Sequence, residues 1–132
     1  MNLKEVSTPA LAYLGDCVLE LCVRRHLIEQ GFSTSRNLNR EALNYVRAGA
    51  QAEAMKHILP VLNEVEESYF KRGRNIGHTN VPKSATVSEY RTATGMEVLF
   101  GYLHITEQTA RIEELFRIGY VNTAPSGEDA QS

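Results

Sequence analysis

Apolar positions along the chain recur at helical spacing, and no stretch alternates with a period of two for long enough to make a strand. Leu11, Leu14, Val18, Leu21 and Cys22 mark the inner face of a first helix. Thr8-Pro9 opens it, since threonine can cap and proline suits the first helical position, and Gly31 ends it after about Gln30. Asp16 lies well round from that face, on a stripe with Tyr13, Glu20, Val23 and Leu27, so this helix is expected to be covered on more than one side. After a loop and cap at 33–35, Leu38, Leu43, Val46, Ala50, Ala54 and Ile58 predict one helix over 37–59, with Gly49 as a kink or close-packing point and Pro60 at its end. A further amphipathic helix is expected over 61–72, with Leu62, Val65, Tyr69 and Phe70 inward and Glu67 paired with Lys71. Thr86-Val87-Ser88-Glu89 reads as a capping box that starts a helix running to about His104. Thr106 then caps a last helix over 107–118, closed by Gly119. The chain therefore reads as all-α, five or six helices in a single domain over 1–122, followed by a polar tail at 123–132 that is expected to be disordered.

Two of these helices carry a carboxylate among apolar neighbours. Asp16 ends the run Leu11-Ala12-Tyr13-Leu14-Gly15-Asp16, and Glu97 lies within Thr94-Gly95-Met96-Glu97-Val98-Leu99-Phe100-Gly101. An ionised carboxylate is costly to bury unless a cation or hydrogen bonds compensate it. Three readings follow: each acid is satisfied separately by an arginine or backbone donor, the two form a proton-transfer pair, or they share a hard divalent cation such as Mg²⁺ or Mn²⁺. Composition alone favours the first. The second wants an aromatic cleft, and the chain has no tryptophan. The third accounts for a basic loop on the same small domain, because such cations activate phosphodiesters.

That loop alters the picture given by the net charge of −2. Between Lys71 and Arg91 the basic residues are Lys71, Arg72, Arg74, Lys83 and Arg91, against the single acid Glu89, so this segment carries +4 and the remainder −6. It coincides with residues 73–85, the longest segment without helical pattern. A phosphate-binding surface on an otherwise acidic protein has this distribution, and so does a solvated loop; charge alone does not separate them. Within the first reading Lys71, Arg72, Arg74 and Lys83 supply charge, and Asn75, His78 and Thr79 supply donors.

The remaining composition is mostly exclusionary. No apolar run approaches the roughly 20 residues that cross a bilayer. The polar start at residues 1–8 lacks a signal segment, so a cytoplasmic location is expected. Cys17 and Cys22, five apart on one helix, point in different directions and cannot bridge each other there, which suits buried free thiols in a reducing compartment. Cys22 and His26 share a face and could ligate a metal, although no further Cys/His pair completes a zinc site, and a small core thiol beside a surface histidine is the simpler reading.

The two acid-bearing blocks resemble a known family. The run ending in Asp16 is similar to the signature of the ribonuclease III catalytic domain, Glu-Arg-Leu-Glu-Phe-Leu-Gly-Asp, and the run around Glu97 to that family's Asp-x-x-Glu-Ala-Leu-x-Gly. Tyr69-Phe70-Lys71-Arg72-Gly73-Arg74-Asn75, Pro82-Lys83 and Glu89-Tyr90-Arg91 narrow the resemblance to its short bacterial form, Mini-ribonuclease III, which lacks a separate double-stranded-RNA-binding domain. The resemblance implies a ribonuclease III-like helical bundle and a homodimeric, Mg²⁺-dependent endonuclease for double-stranded RNA that trims precursor 23S rRNA. A ribosomal protein on the pre-ribosome is a further candidate partner. Asp16 and Glu97 match the metal-binding catalytic pair; Pro9, Ala12 and Thr94 stand where full-length members carry further acids. The alternative is a non-catalytic RNA-binding or ribosome-associated module of the same fold.

Overall fold

The computed structural model describes residues 1–76, 81 and 83–121. Among them the chain forms α1 (Thr8–Glu29), α2 (Ser35–Val46), α3 (Ala48–Ile58), α4 (Glu64–Arg74), α5 (Val87–Ile105) and α6 (Thr109–Phe116), with a π-helical extension over Arg117–Val121 and no strand. None of these helices is long and apolar enough to cross a membrane. The tail expected at 123–132 lies outside the described residues, as does His78.

α5 is the central element. Ala93, Gly95, Met96, Val98, Leu99, Phe100, Gly101 and Leu103 are buried all round it, so it shows no single apolar face and must be enclosed by other helices. α1 and α4 pack against it most extensively, and α3 adds a third wall. Leu11, Val18, Leu19, Val23 and Leu27 of α1 supply one side of the core; Ala54, Met55 and Ile58 of α3, Phe70 of α4 and Leu115 of α6 supply others. The expectation that α1 is covered on more than one side holds, but Leu21 points to solvent at 66% exposure, not inward.

Helix ends follow side-chain chemistry. Ser7, one residue before the expected Thr8, caps α1 by accepting a hydrogen bond from the Ala10 amide at 3.1 Å. Gly31 adopts φ +98°, a conformation open to glycine without strain. The capping box at Thr86 and Glu89 forms as expected, with both reciprocal bonds at 3.0 Å.

Several expectations are corrected. The helix predicted over 37–59 is two helices, broken at Arg47 (ψ 149°), not kinked at Gly49; α2 packs on α1 and α3 on α5, two surfaces that a single straight rod cannot serve. α4 begins at Glu64, not at 61, because Asn63 and Glu66 make a capping box of their own, and it runs through Gly73, where a Cβ would meet Val98 at 2.7 Å and the Gly95 backbone at 2.8 Å. Its inner face holds Glu66 and Phe70, while Val65 is 52% exposed. Thr106 ends α5 by donating to the Tyr102 carbonyl at 2.8 Å and does not start α6, which begins at Thr109 after Glu107 at φ 60°. Gly119 does not close that helix either; the chain stays helical to Val121.

Glu66 is 1% exposed, and it is compensated. Arg111 on α6 holds it with two parallel bonds of 2.8 Å, and the same guanidinium donates to the Val61 carbonyl at 2.8 Å and to Glu114 at 3.0 Å. This bidentate pair clamps α4 to α6. The Arg111 hydrogen bonds hold the Glu66 carboxyl below the usual carboxylate range despite its burial.

Candidate active site

Two glycines set the site. A Cβ on Gly15 would run into the carbonyl of Glu97 and come within 2.9 Å of the Gly101 amide; one on Gly101 would run into the carbonyl of Leu11. α1 and α5 therefore cross with their backbones in contact. Asp16 follows Gly15 directly, so the crossing that requires glycine also delivers its carboxylate to the neighbourhood of Glu97. The two acid-bearing blocks meet at this point.

The burial expected of the two acids is only half right. Glu97 is half-buried, but Asp16 is exposed, on the solvent side of the crossing. Neither makes an ion pair or hydrogen bond among the described residues, in contrast to Glu66 with its arginine. Burial first, and then the charge of Asp16, push the Glu97 carboxyl up from 4.5 to about 8. Among the described residues, neither acid has the local cation or donor of the first reading.

What surrounds the pair is sparse. Thr94, one turn before Glu97, donates its hydroxyl to the Tyr90 carbonyl at 3.0 Å. Glu20 is bound to Arg24 at 3.2 Å and lines a groove between α1 and α2. No group of three or more His, Cys, Asp or Glu side chains converges on a metal position among the described residues. The donor set is two carboxylates lacking a compensating cation, which fits a hard divalent ion that keeps much of its own water shell. Cys22 and His26 give no such site: burial, then Glu113, raise the Cys22 thiol to about 11, and His26 packs its ring edge-on against Tyr45 and Phe116. Cys17 is exposed, contrary to the expectation that both thiols are buried.

The basic residues divide into engaged and free. Lys71 pairs with Glu67 at 3.4 Å. Arg72 donates to Thr8 at 2.9 Å and lies 4.7 Å over the Tyr69 ring, which itself stacks on Tyr102, so it ties α4 to the start of α1. Arg74 touches the Phe70 ring but has no acid partner; Lys83 and Arg91 have none either among the described residues. Asn75 is the C-cap of α4, exposed beside Arg74. Sequence reasoning did not assign Arg91 a role, although it lay within the basic run.

Comparison with known proteins places this geometry. The Ribonuclease III domain matches residues 9–108, and the chain belongs to the ribonuclease III family of endoribonucleases. Among its relatives, Mini-ribonuclease 3 of Symbiobacterium thermophilum is 44% identical over 107 residues, 81% of this chain and 82% of that protein. Mini-ribonuclease 3 of Enterococcus faecalis is 45% identical over 114 residues, 85% of this chain and 86% of that one. A solved structure, protein FN1578 of Fusobacterium nucleatum, superimposes with a TM-score of 0.79 at 30% identity, covering 88% of this chain and 93% of that one. The all-α fold and the resemblance to the short form of the family are as expected from the sequence.

Proposed function

We propose that this endoribonuclease cleaves double-stranded RNA with Mg²⁺, or Mn²⁺ in its place, and that Asp16 and Glu97 hold the ion. The observation that carries the reading is the meeting of two carboxylates at the α1–α5 crossing with no cation paired to them among the described residues. When bound, such an ion polarises a phosphodiester and lowers the pKa of an attacking water. Asp16, on the exposed side, is within reach of a strand lying across the crossing. Glu97, set deeper, gives up its proton to become a ligand and is held in place by the buried α5 around it. Attack by water at phosphorus with loss of the 3′-oxygen gives a 5′-phosphate and a 3′-hydroxyl.

Duplex binding falls to the basic surface. A-form RNA is read mainly through phosphates and 2′-hydroxyls, so exposed Lys71, Arg72, Arg74, Asn75 and Lys83 suit it, with His78 as a further sequence-based candidate. Unpaired Arg74 and Lys83 supply more of the attraction than Lys71 and Arg72, which already have protein partners.

A homodimer accounts for the outer face of α1. Tyr13, Leu21 and Ile28 are 86, 66 and 64% exposed and, with Cys17, form one apolar stripe beside Asp16. A second copy along that stripe buries it and sets two catalytic pairs against one duplex, which raises effective affinity where each subunit offers little surface. The resemblance of the sequence to the short form of the family points to the ends of precursor 23S rRNA as the substrate, in the cytoplasm, with a ribosomal protein on the pre-ribosome as a helper.

The test is Asp16→Asn assayed on a labelled duplex with and without Mg²⁺. Cleavage should fall by at least roughly a hundredfold, with thermal stability and duplex binding retained. Undiminished cleavage by the folded variant would overturn the assignment.

A further inference from the structure

Between the end of α4 and the first two turns of α5 lies a shallow cleft of about 330 Å³, lined by Arg74, Asn75, Val87, Ser88, Arg91 and Thr92. Its polar lining is two guanidinium groups, one amide and two hydroxyls, with no carboxylate. Neither arginine makes an ion pair among the described residues, whereas Arg24, Arg25, Arg40 and Arg111 each pair with an acid. Glu89, the acid nearest in sequence to Arg91, is occupied in capping the start of α5, where its carboxylate accepts from the Thr86 amide at 3.0 Å. Two uncompensated cations facing one concavity repel each other and attract an anion, and planar guanidinium groups suit the oxygens of a phosphate.

We infer that this cleft is a phosphodiester-binding subsite, with Arg91 as a binding residue alongside Arg74 and with Asn75, Ser88 and Thr92 as supporting donors. The inference rests on the reading of the chain as a double-stranded ribonuclease and deepens it. The phosphate held here is not the one being cut. Arg91 precedes Glu97 by six residues, about 9 Å along the helix axis and about 120° around it, so the cleft and the carboxylate pair face different directions from the same rod. The subsite anchors the duplex backbone at a distance while the pair at the crossing acts on it. α5 is enclosed by three helices, so the spacing between the two is rigid. Val87, 51% exposed at the rim, offers an apolar surface to a ribose.

Arg91→Gln tests this by duplex binding across a salt series with Ca²⁺ in place of Mg²⁺, so that binding is measured without turnover. Expected is a loss of roughly three- to tenfold in affinity that is the same for duplexes of different sequence, with the slope of log affinity against log salt reduced by about one. The melting temperature should stay put, and cleavage at duplex concentrations below saturation should fall in step with affinity. Inorganic phosphate added to the wild type separates the sources of the anion: competition at millimolar levels that is lost in Arg91→Gln marks a site for free phosphate, and its absence leaves the RNA backbone as the ligand. Unchanged affinity and slope in Arg91→Gln, while the wild type binds and cuts duplex, would overturn the subsite and leave the enzyme reading intact. A wild type that neither binds nor cuts duplex would overturn both.

Discussion

Replacing Glu97 by glutamine should stabilise the metal-free protein, and should do so only at high pH. In the folded chain the Glu97 carboxyl is raised from 4.5 to about 8, by burial and then by the charge of Asp16. An acid whose folded pKa lies above its unfolded value favours the folded state while protonated; that contribution is whole below about pH 4.5 and is lost progressively up to about pH 8. At about 1.4 kcal/mol per pH unit the loss cannot exceed about 5 kcal/mol. Glu97 is only half-buried, so solvent screening reduces it to about 1–3 kcal/mol. Glutamine keeps the shape and removes the charge. For a domain of this size the gain amounts to roughly 3–12 °C in melting temperature at pH 9, with little difference at pH 5. The assay is thermal unfolding followed by circular dichroism in EDTA at the two pH values, repeated with Mg²⁺. The ion should stabilise the wild type at pH 9 by an amount that grows with its concentration and should do little for the variant. If the variant were no more stable than the wild type at pH 9 in EDTA, the two carboxylates would not be repelling each other, and the shared cation would lose its physical basis.

Further outcomes follow from other parts of the molecule. Leu21→Glu should convert the proposed homodimer to a folded monomer by light scattering, with duplex affinity reduced; a dimer that survives it would place the interface elsewhere than the α1 stripe. Arg111→Ala should destabilise by about 3–5 kcal/mol in urea unfolding because it leaves Glu66 buried without its cation. Since Glu66 is held below 4.5 in the fold, the pair's contribution is present above that pH and disappears as pH falls further; the variant should lack this acid-side decline.

The helices that surround the site were legible because their chemistry is local. The Thr86–Glu89 box and Gly31 are read within four residues of the event they control. Asn63-x-x-Glu66 was the same signal and would have put the start of α4 at 64 instead of 61. What was not legible depends on distant partners. Glu66 reads as a surface acid of an amphipathic helix, and only the arrival of Arg111, 45 residues later, makes its burial tolerable. Likewise nothing local distinguishes 46–48 from the rest of an apolar helical pattern; the break at Arg47 exists because α1 and α5 draw α2 and α3 in different directions. Leu21 looked like core for the converse reason: an exposed apolar stripe has the same periodicity as a buried one.

The location of Asp16 shows that the cost of burying charge is an incomplete reason for singling it out. Its position was inferred from the cost of burying charge, yet Asp16 is exposed and bears little of that cost. The constraint sits on its neighbour. Gly15 cannot carry a Cβ because the Glu97 carbonyl occupies that space, and Gly101 is barred from one by the Leu11 carbonyl, so the two glycines lock the register of α1 against α5. Once that register is set, the residue after Gly15 and the residue four before Gly101 are neighbours whatever their chemistry. A slip of one turn would bring side chains into the space that the two glycines leave open, part the acids and abolish the charge pressure on Glu97. The deeper acid is pushed up by burial and by the charge of Asp16, and the helix packing that creates this pressure also keeps it from relaxing. That is the condition under which a divalent cation gains most from binding, since it relieves a repulsion that the backbone contact does not allow the side chains to escape.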